Sequence, residues 1–213
     1  MAGCCDPRGY DKVFGAGFAK RTAKKYRRRG LDPAARRMVD FLAAEGLSGA
    51  TVLEIGGGVG NIGVELLRRG AESATTLELS SSYEDEARRL AREAGVADRV
   101  HRRVVDIVAE PDGVEPADLV VLHRVVCCYP DHERLLGAAA VHCRSRLAFT
   151  HPPHNLVTRG LVAGENAMLA LMRRDFRAFV HPPAAMVEVV AARGFRPAYD
   201  HPGRIWQVKG LAR

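Results

Sequence analysis

The sequence lacks long hydrophobic runs and a disulfide framework. Its 213 residues contain no stretch of about 18 consecutive apolar residues, so no membrane-spanning helix is expected. Residues 1–12 lack the apolar core of a secretory signal, and the five cysteines are an odd number without a C-x-x-C pair. These absences exclude membrane-spanning and disulfide-rich secreted proteins and predict a soluble protein of the cytoplasm, where thiols stay reduced.

Lysine is also scarce. Five of the 32 basic residues are lysines, and the formal net charge is +7. One dense basic cluster, residues 20–30, raises nucleic acid as a partner, although the exposed face of a helix gives the same pattern. No cysteine or histidine spacing typical of structural zinc occurs, so no metal site is predicted.

The first 45 residues have a helical pattern in two pieces. Asp32 followed by Pro33 is typical of an N-cap and a first helical residue, so the second piece begins there. We therefore expect residues 1–45 to form a helical cap or lid, while residues 46–213 form the main domain.

After residue 50, short apolar runs alternate with amphipathic segments. Runs typical of strands occur at 51–55, 75–79, 99–105, 117–125 and 145–151. Helical segments occur at 61–70, 80–95, 133–143, 160–174 and 183–193. Two further strand-like runs close the chain as a hairpin around residues 201–203. This order favours right-handed crossovers. The predicted class is α/β: a doubly wound, Rossmann-like sheet, mostly parallel with an antiparallel C-terminal hairpin, plus a helical N-terminal extension.

A glycine-rich loop, EIGGGVG at residues 54–60, follows the first predicted strand and opens a helix. Glycine permits a tight turn and close approach of a ligand, and the helix N-terminus offers free N–H groups. Gly58, Gly60 and Gly63 also satisfy G-x-G-x-x-G, so a dinucleotide is an alternative ligand. Glu78, at the end of the second strand, suits ribose hydroxyls in either case.

Three features favour S-adenosylmethionine over a dinucleotide. Glu54 stands where its carboxylate can face a methionine amino group, whereas a pyrophosphate would be repelled there. Asp106 ends the third predicted strand and, with the adjacent Ile107, can bracket an adenine ring. The sheet also lacks the second mononucleotide half of a dehydrogenase after residue 120.

With these residues in this order, the region from about 45 to 150 resembles a class I S-adenosylmethionine-dependent methyltransferase. The resemblance rests on the E-x-G-x-G-x-G loop, the acids after the second and third strands, and the final hairpin. It implies S-adenosyl-L-methionine as the cofactor and S-adenosyl-L-homocysteine as the product. The implied cofactor-binding residues are Glu54, Gly56, Gly57, Gly58, Gly60, Glu78, Leu79, Asp106, Ile107, His123 and Arg124.

A narrower resemblance, to magnesium-protoporphyrin O-methyltransferases, rests on GYDKVFG at residues 9–15 and on the RVVCCYPD run. Matching Tyr129-Pro130 to that family's His-Tyr-Pro motif puts Cys128 where the family carries a histidine implicated in catalysis. We therefore interpret the chain as a relative that acts on another small molecule. The candidate catalytic, pocket-lining residues are Cys128, Tyr129, Tyr10 and His154. Further candidates for the pocket wall are His123, His132 and His151.

The cysteines occur as two adjacent pairs, Cys4–Cys5 and Cys127–Cys128, and a single Cys143. Packing, a soft-metal or redox role, and a place in the pocket wall all remain open for them. Adjacent residues on an extended segment face opposite ways, so at most one of Cys127 and Cys128 is expected to point into the pocket.

The predicted function is S-adenosylmethionine-dependent methyl transfer to an O or N atom of a small-molecule acceptor, by a monomer or homodimer. One alternative is an RNA methyltransferase that uses the basic segment 20–30. Another is a non-catalytic or soft-metal-binding protein that retains the fold.

Overall fold

A computed structural model describes residues 9–213, and Cys4 and Cys5 lie outside this range. Three helices precede the sheet: α1 (Tyr10–Val13), α2 (Ala16–Arg29) and α3 (Pro33–Leu42). The helical region has a third piece because the chain breaks again before Gly15, which precedes α2. Asp32 caps α3 as predicted, since its side chain accepts the N–H groups of Ala34 and Ala35 at 3.1 Å.

Seven strands within residues 9–213 form one sheet. They are β1 (Thr51–Ile55), β2 (Ser73–Glu78), β3 (Val100–Val104), β4 (Ala117–Leu122), β5 (Cys143–His151), β6 (Arg196–His201) and β7 (Gln207–Ala212). The helices between them are α4 (Asn61–Arg68), α5 (Glu84–Glu93), α6 (His132–Val141), α7 (Leu156–Leu171) and α8 (Pro183–Ala191). The strand order is β3-β2-β1-β4-β5-β7-β6, and β7 runs antiparallel to both of its neighbours. The predicted fold class is confirmed.

The central strands β1, β4 and β5 are buried on both faces, which explains why they have continuous apolar runs. Along β4, Leu119 and Val121 join the core beneath α2 to α5, whereas Val120 and Leu122 join the core beneath α6 and α8. Burying one such side chain contributes about 1.5–3 kcal/mol. Met38 of helix α3 lies in the same core as Leu119 and Val121, so this part of the N-terminal region packs directly against the sheet.

The strand order reverses between β1 and β4, which is where open α/β sheets bind ligands. Strand β4 ends at Leu122, three residues before the predicted end, because Arg124 has a left-handed backbone with φ 60°. The N–H of Arg124 donates to Thr150 Oγ at 2.8 Å, which holds this turn against β5. A short 3-10 turn, Val126–Cys128, follows.

Helix α7 lies on the surface and contains no buried residue. Its exposed large apolar side chains are Leu156, Val157, Leu161, Met168 and Leu171. Among the described residues, no helix is long and apolar enough to cross a membrane.

Candidate active site

The glycine loop between β1 and α4 is packed too closely for side chains. A Cβ at Gly56 would lie 2.5 Å from a methyl carbon of Val125, and the backbone φ of Gly56 is 62°. A Cβ at Gly57 would lie 2.6 Å from the Glu54 carboxyl carbon. The loop can therefore follow this path only as glycine, and it presents bare backbone at the switch point of the sheet.

Glu54 supports this loop from below. Its side chain is buried, and Oε2 accepts the N–H of Gly63 at 2.9 Å. Burial raises the pKa of Glu54 to about 7, although the bond from Gly63 and the charge of Arg102 act in the opposite direction. The sequence suggested that Glu54 faces a ligand amino group, and in the structure its Oε2 faces the N-terminus of α4.

Glu78 presents a carboxylate at the end of β2. Its oxygens accept the N–H groups of Gly58 and Leu79, each at 2.8 Å, while burial raises the pKa of Glu78 despite these bonds. Arg102, on β3, donates to the Gly58 carbonyl at 2.8 Å and pairs with Glu84 at 2.9 Å. Arg102 therefore stabilises the glycine loop. The only sign of this role in the sequence is that a charged residue stands inside a predicted strand.

Asp106 follows β3 and meets the turn after β4. The hydroxyl of Tyr129 donates to Asp106 Oδ2 at 3.1 Å, and Asp106 Oδ1 accepts the N–H of Val108 at 2.9 Å. Ile107 and Tyr129 are both buried. A carboxylate and apolar surface are thus fixed side by side.

These strand ends enclose a cavity with about 690 Å³ of empty space, part of it open to solvent, which we call the strand-end cavity. It brings together six predicted cofactor residues: Gly56, Glu78, Leu79, Asp106, Ile107 and Arg124. Its wall also contains three of the candidate catalytic residues, Tyr10, Cys128 and Tyr129.

A second cavity, the helix-side cavity, lies on the other side of the glycine loop and has about 1860 Å³ of empty space, also partly open to solvent. Its wall is rich in apolar side chains, including Phe18, Leu161, Phe176, Phe179, Ile205 and Trp206. Gly57, Gly58 and His123 also lie on this side. Both cavities share Phe14, Gly56, Tyr83, Arg124 and Cys128. The two cavities therefore adjoin each other, and together we call them the cleft.

A polar cluster stands in the helix-side cavity. Asp32 Oδ2 lies 3.1 Å from His123 Nε2 and 2.9 Å from the Arg124 guanidinium, while His123 Nδ1 lies 3.2 Å from Thr150 Oγ. Burial would raise the pKa of Asp32, but the hydrogen bond and charge of His123, followed by the charge of Arg124, hold it well below its usual range. The guanidinium also lies over the Trp206 ring at 5.1 Å. The sequence revealed only the capping role of Asp32.

Cys127 and Cys128 both line the helix-side cavity, and their Sγ atoms lie 3.7 Å apart. The expectation that at most one of them faces the pocket is wrong, because the segment forms a 3-10 turn rather than an extended strand. The Tyr10 hydroxyl donates to the Cys128 carbonyl at 2.8 Å, so α1 rests on this turn.

Comparison with known proteins agrees with this geometry. Residues 52–146 match a family model described as a methyltransferase domain. Residues 52–146 carry a methyltransferase domain. The predictions of this family and of its Rossmann-like fold are confirmed, and S-adenosyl-L-methionine is the cofactor that the domain implies.

Solved structures of methyltransferases share the fold. Magnesium protoporphyrin IX methyltransferase from Synechocystis PCC 6803, with bound S-adenosylhomocysteine, superposes with a TM-score of 0.74 at 20% identity, over 97% of each chain. An O-methyltransferase family protein from Burkholderia thailandensis gives 0.72 at 18% identity, over 92% of this chain and 58% of that one. Geranyl diphosphate C-methyltransferase from Streptomyces coelicolor A3(2) gives 0.64 at 17% identity, over 84% and 79%.

Some residues that the sequence predicted as part of the site lie outside both cavity walls. Gly60 faces Arg102, and His154 is exposed in the loop before α7. His132 stacks near His181 with ring centres 4.4 Å apart, and the buried His151 bonds the Pro152 carbonyl through Nδ1 at 2.8 Å. Within residues 9–213, no group of three or more His, Cys, Asp or Glu side chains is arranged to hold a metal ion.

Proposed function

We propose that this protein transfers a methyl group from S-adenosyl-L-methionine to an O or N atom of a small-molecule acceptor with a large apolar surface. The observation that supports the proposal is the wall shared by the two cavities at Gly56, Arg124 and Cys128. A polar ligand among the strand ends and an apolar ligand among the helices would meet there.

The strand-end cavity suits the cofactor. Glu78 accepts three backbone N–H groups, and a carboxylate has about four acceptor sites, so one lone pair remains for a ribose hydroxyl. Asp106 and Ile107 offer a carboxylate and an apolar surface for adenine, and the glycine loop offers bare backbone. When bound, the cofactor supplies an already activated methyl group on a sulfonium.

The helix-side cavity suits the acceptor. Its aromatic and aliphatic wall excludes water and aligns an apolar molecule, which is most of what methyl transfer requires from the protein. Both ring nitrogens of His123 already contact partners, so we assign it to positioning within the Asp32 cluster. A carboxylate acceptor needs no base, whereas an acceptor that loses a proton does.

The candidate catalytic residues divide between the cavities. Cys128 lies at the shared wall. Tyr10 and Tyr129 line the strand-end cavity, where the Tyr10 hydroxyl bonds the Cys128 carbonyl and the Tyr129 hydroxyl bonds Asp106. His154 lies outside both walls in this structure, so a role for it would require the loop before α7 to close. We propose the segment 1–45 as a lid, because Phe14 and Phe18 cover the cleft.

Titration calorimetry with S-adenosyl-L-methionine and S-adenosyl-L-homocysteine tests the proposal. Replacing Glu78 with alanine removes hydrogen bonds from a charged group, and we expect binding to weaken by about 30-fold, or about 2 kcal/mol. Glu72→Ala, which removes an exposed carboxylate just before β2, is the matched control and should bind normally. A parent protein that binds neither compound would contradict the proposal.

RNA is the rival acceptor because α2 carries most of the basic segment 20–30. Part of this charge is already neutralised: Arg27 pairs with Glu86 at 3.3 Å and with Glu93 at 2.6 Å. A gel shift with total RNA, repeated at increasing salt, decides between them. A salt-sensitive shift would favour RNA, and its absence would favour the small molecule.

A further inference from the structure

Cys127 and Cys128 are the thiols that a ligand entering the helix-side cavity would reach. Both residues line that cavity, and Cys128 also lines the strand-end cavity. Cys143, the other cysteine in the described range, is buried in β5, where its thiol faces the Asp118 carbonyl at 3.8 Å.

The backbone of this pair is anchored on both sides. The Tyr10 hydroxyl donates to the Cys128 carbonyl at 2.8 Å, and the Phe179 N–H donates to the Cys127 carbonyl at 2.7 Å. These bonds hold the 3-10 turn in the form that brings the two Sγ atoms to 3.7 Å from each other. A ligand that needs two sulfurs therefore meets a preorganised pair.

The pKa values of the two thiols are shifted in opposite directions. The hydrogen bond with Cys128 lowers the pKa of Cys127, against the opposing effect of burial, and the charge of Arg124 adds to the lowering. The pKa of Cys128 is raised, and its thiol is directed at the Arg124 carbonyl at 3.5 Å. One sulfur is thus the better nucleophile, while its neighbour remains beside it.

A direct bond between these sulfurs is unfavourable. The Cα atoms of adjacent residues lie about 3.8 Å apart, whereas disulfides usually join Cα atoms about 4.4–6.8 Å apart. A single atom that bonds both sulfurs avoids this strain, because the sulfurs can stay near their present separation of 3.7 Å.

We propose that Cys127 and Cys128 chelate a trivalent, thiophilic metalloid centre, of which arsenic in an organic arsenoxide is the type. Two sulfur–arsenic bonds form, the arsenic–oxygen bond breaks, and both thiol protons leave with that oxygen as one water. Arsenic stays trivalent, so no oxidant or reductant is needed. The adduct would fill the helix-side cavity at the shared wall. We expect this adduct to stop methyl transfer while cofactor binding persists, and this one expectation rests on the proposed function.

Phenylarsine oxide is the probe, titrated into the full chain carrying Cys4→Ser and Cys5→Ser, so that one adjacent pair remains. Intact-mass spectrometry should show one adduct per chain that survives excess monothiol and is released by a dithiol. Cys127→Ser or Cys128→Ser leaves a single sulfur, so affinity should fall on the order of 100-fold. Cys143→Ala is the matched control and should keep the adduct.

An adduct that persists undiminished in the Cys127→Ser or Cys128→Ser protein would overturn the proposal, as would its absence from the parent. Trp206, the single tryptophan, lines the same cavity and gives a second readout. Its fluorescence should change on titration of the parent, and the same change in Cys128→Ser should need on the order of 100-fold more phenylarsine oxide. Neither measurement needs methyl transfer, so failure of the proposed function leaves this test intact.

Discussion

The strand-end cavity and the helix-side cavity are built by different means. The first is formed by the ends of β1 to β3, where buried or half-buried carboxylates accept backbone N–H groups of neighbouring segments. The second is formed by side chains of helices and connecting segments, including α7, which has no buried residue. The sheet itself therefore fixes one side of the cleft, whereas the other side depends on elements loosely tied to the core.

Under the proposed function, this difference would separate the binding of the cofactor from the selection of the acceptor. Elements with few buried contacts open and rearrange at low free energy, while core strands do not. The sheet side can hold one cofactor while the helix side changes to suit an acceptor.

Replacing Gly57 with alanine should have the largest effect, because it disturbs the glycine loop above β1. The new Cβ would lie 2.6 Å from the carboxyl carbon of Glu54 and 2.7 Å from a methyl of Thr76, both buried. The loop must shift, so we expect cofactor affinity to fall by at least about 100-fold, measured by calorimetry. Gly160→Ala in α7 meets no atom within 4 Å and should bind normally, with a gain of about 0.5–1 kcal/mol in stability. Normal binding by Gly57→Ala would break the comparison.

Glu54 allows the strand-end side to be tested through pH. Its pKa rises from 4.5 when unfolded to about 7 when folded, so the folded state binds the extra proton between these values. Stability therefore falls as pH rises from 4.5 to 7, by about 3 kcal/mol. Glu54→Gln keeps an oxygen for the Gly63 N–H but cannot ionise. The variant's advantage in urea unfolding should grow with pH across that window, and parallel pH profiles would contradict it.

Asp32→Asn should affect only the helix-side cavity. Asparagine keeps an oxygen to cap α3 but removes the charge that holds His123 and Arg124. We expect kcat/KM for the acceptor to fall about tenfold, or about 1.4 kcal/mol, with cofactor affinity unchanged. Asp32→Ala should lose about a further 1 kcal/mol of stability with the cap. Equal losses of cofactor and acceptor binding would show that the two sides are not separable.

Leu161→Ala should have the smallest effect. Leu161 lines the helix-side cavity yet is 70% exposed, so unfolding free energy should change by less than about 0.5 kcal/mol. Loss of apolar contact should raise the acceptor KM about threefold. Leu171→Ala, on the same helix but outside the cavity wall, is the matched control and should leave KM unchanged.

Much of the strand-end side could be predicted from local pattern. Apolar runs, the glycine loop and acids at strand ends lie within a few residues of each other in sequence, and parallel strands bring their ends to one edge. The partial exception is Glu54: its place beside the loop was clear, but not that burial turns its carboxylate toward α4.

The helix-side cavity was harder to foresee because its contacts join distant parts of the chain. Asp32 and Trp206 meet Arg124 only once the sheet is assembled. The orientation of Cys127 and Cys128 depends on the 3-10 turn that follows Arg124, whose backbone is left-handed. The sequence did not predict this turn because the segment is a continuous apolar run typical of a strand.

The outer face of α7 should also govern how the protein behaves at high concentration. Leu156 is 82% exposed and Leu171 is 86% exposed, on a helix whose exposed side offers little charge. Salts such as ammonium sulfate strengthen apolar association. We therefore expect the folded protein to self-associate reversibly through α7 as it is salted out, so that light scattering rises while circular dichroism stays native.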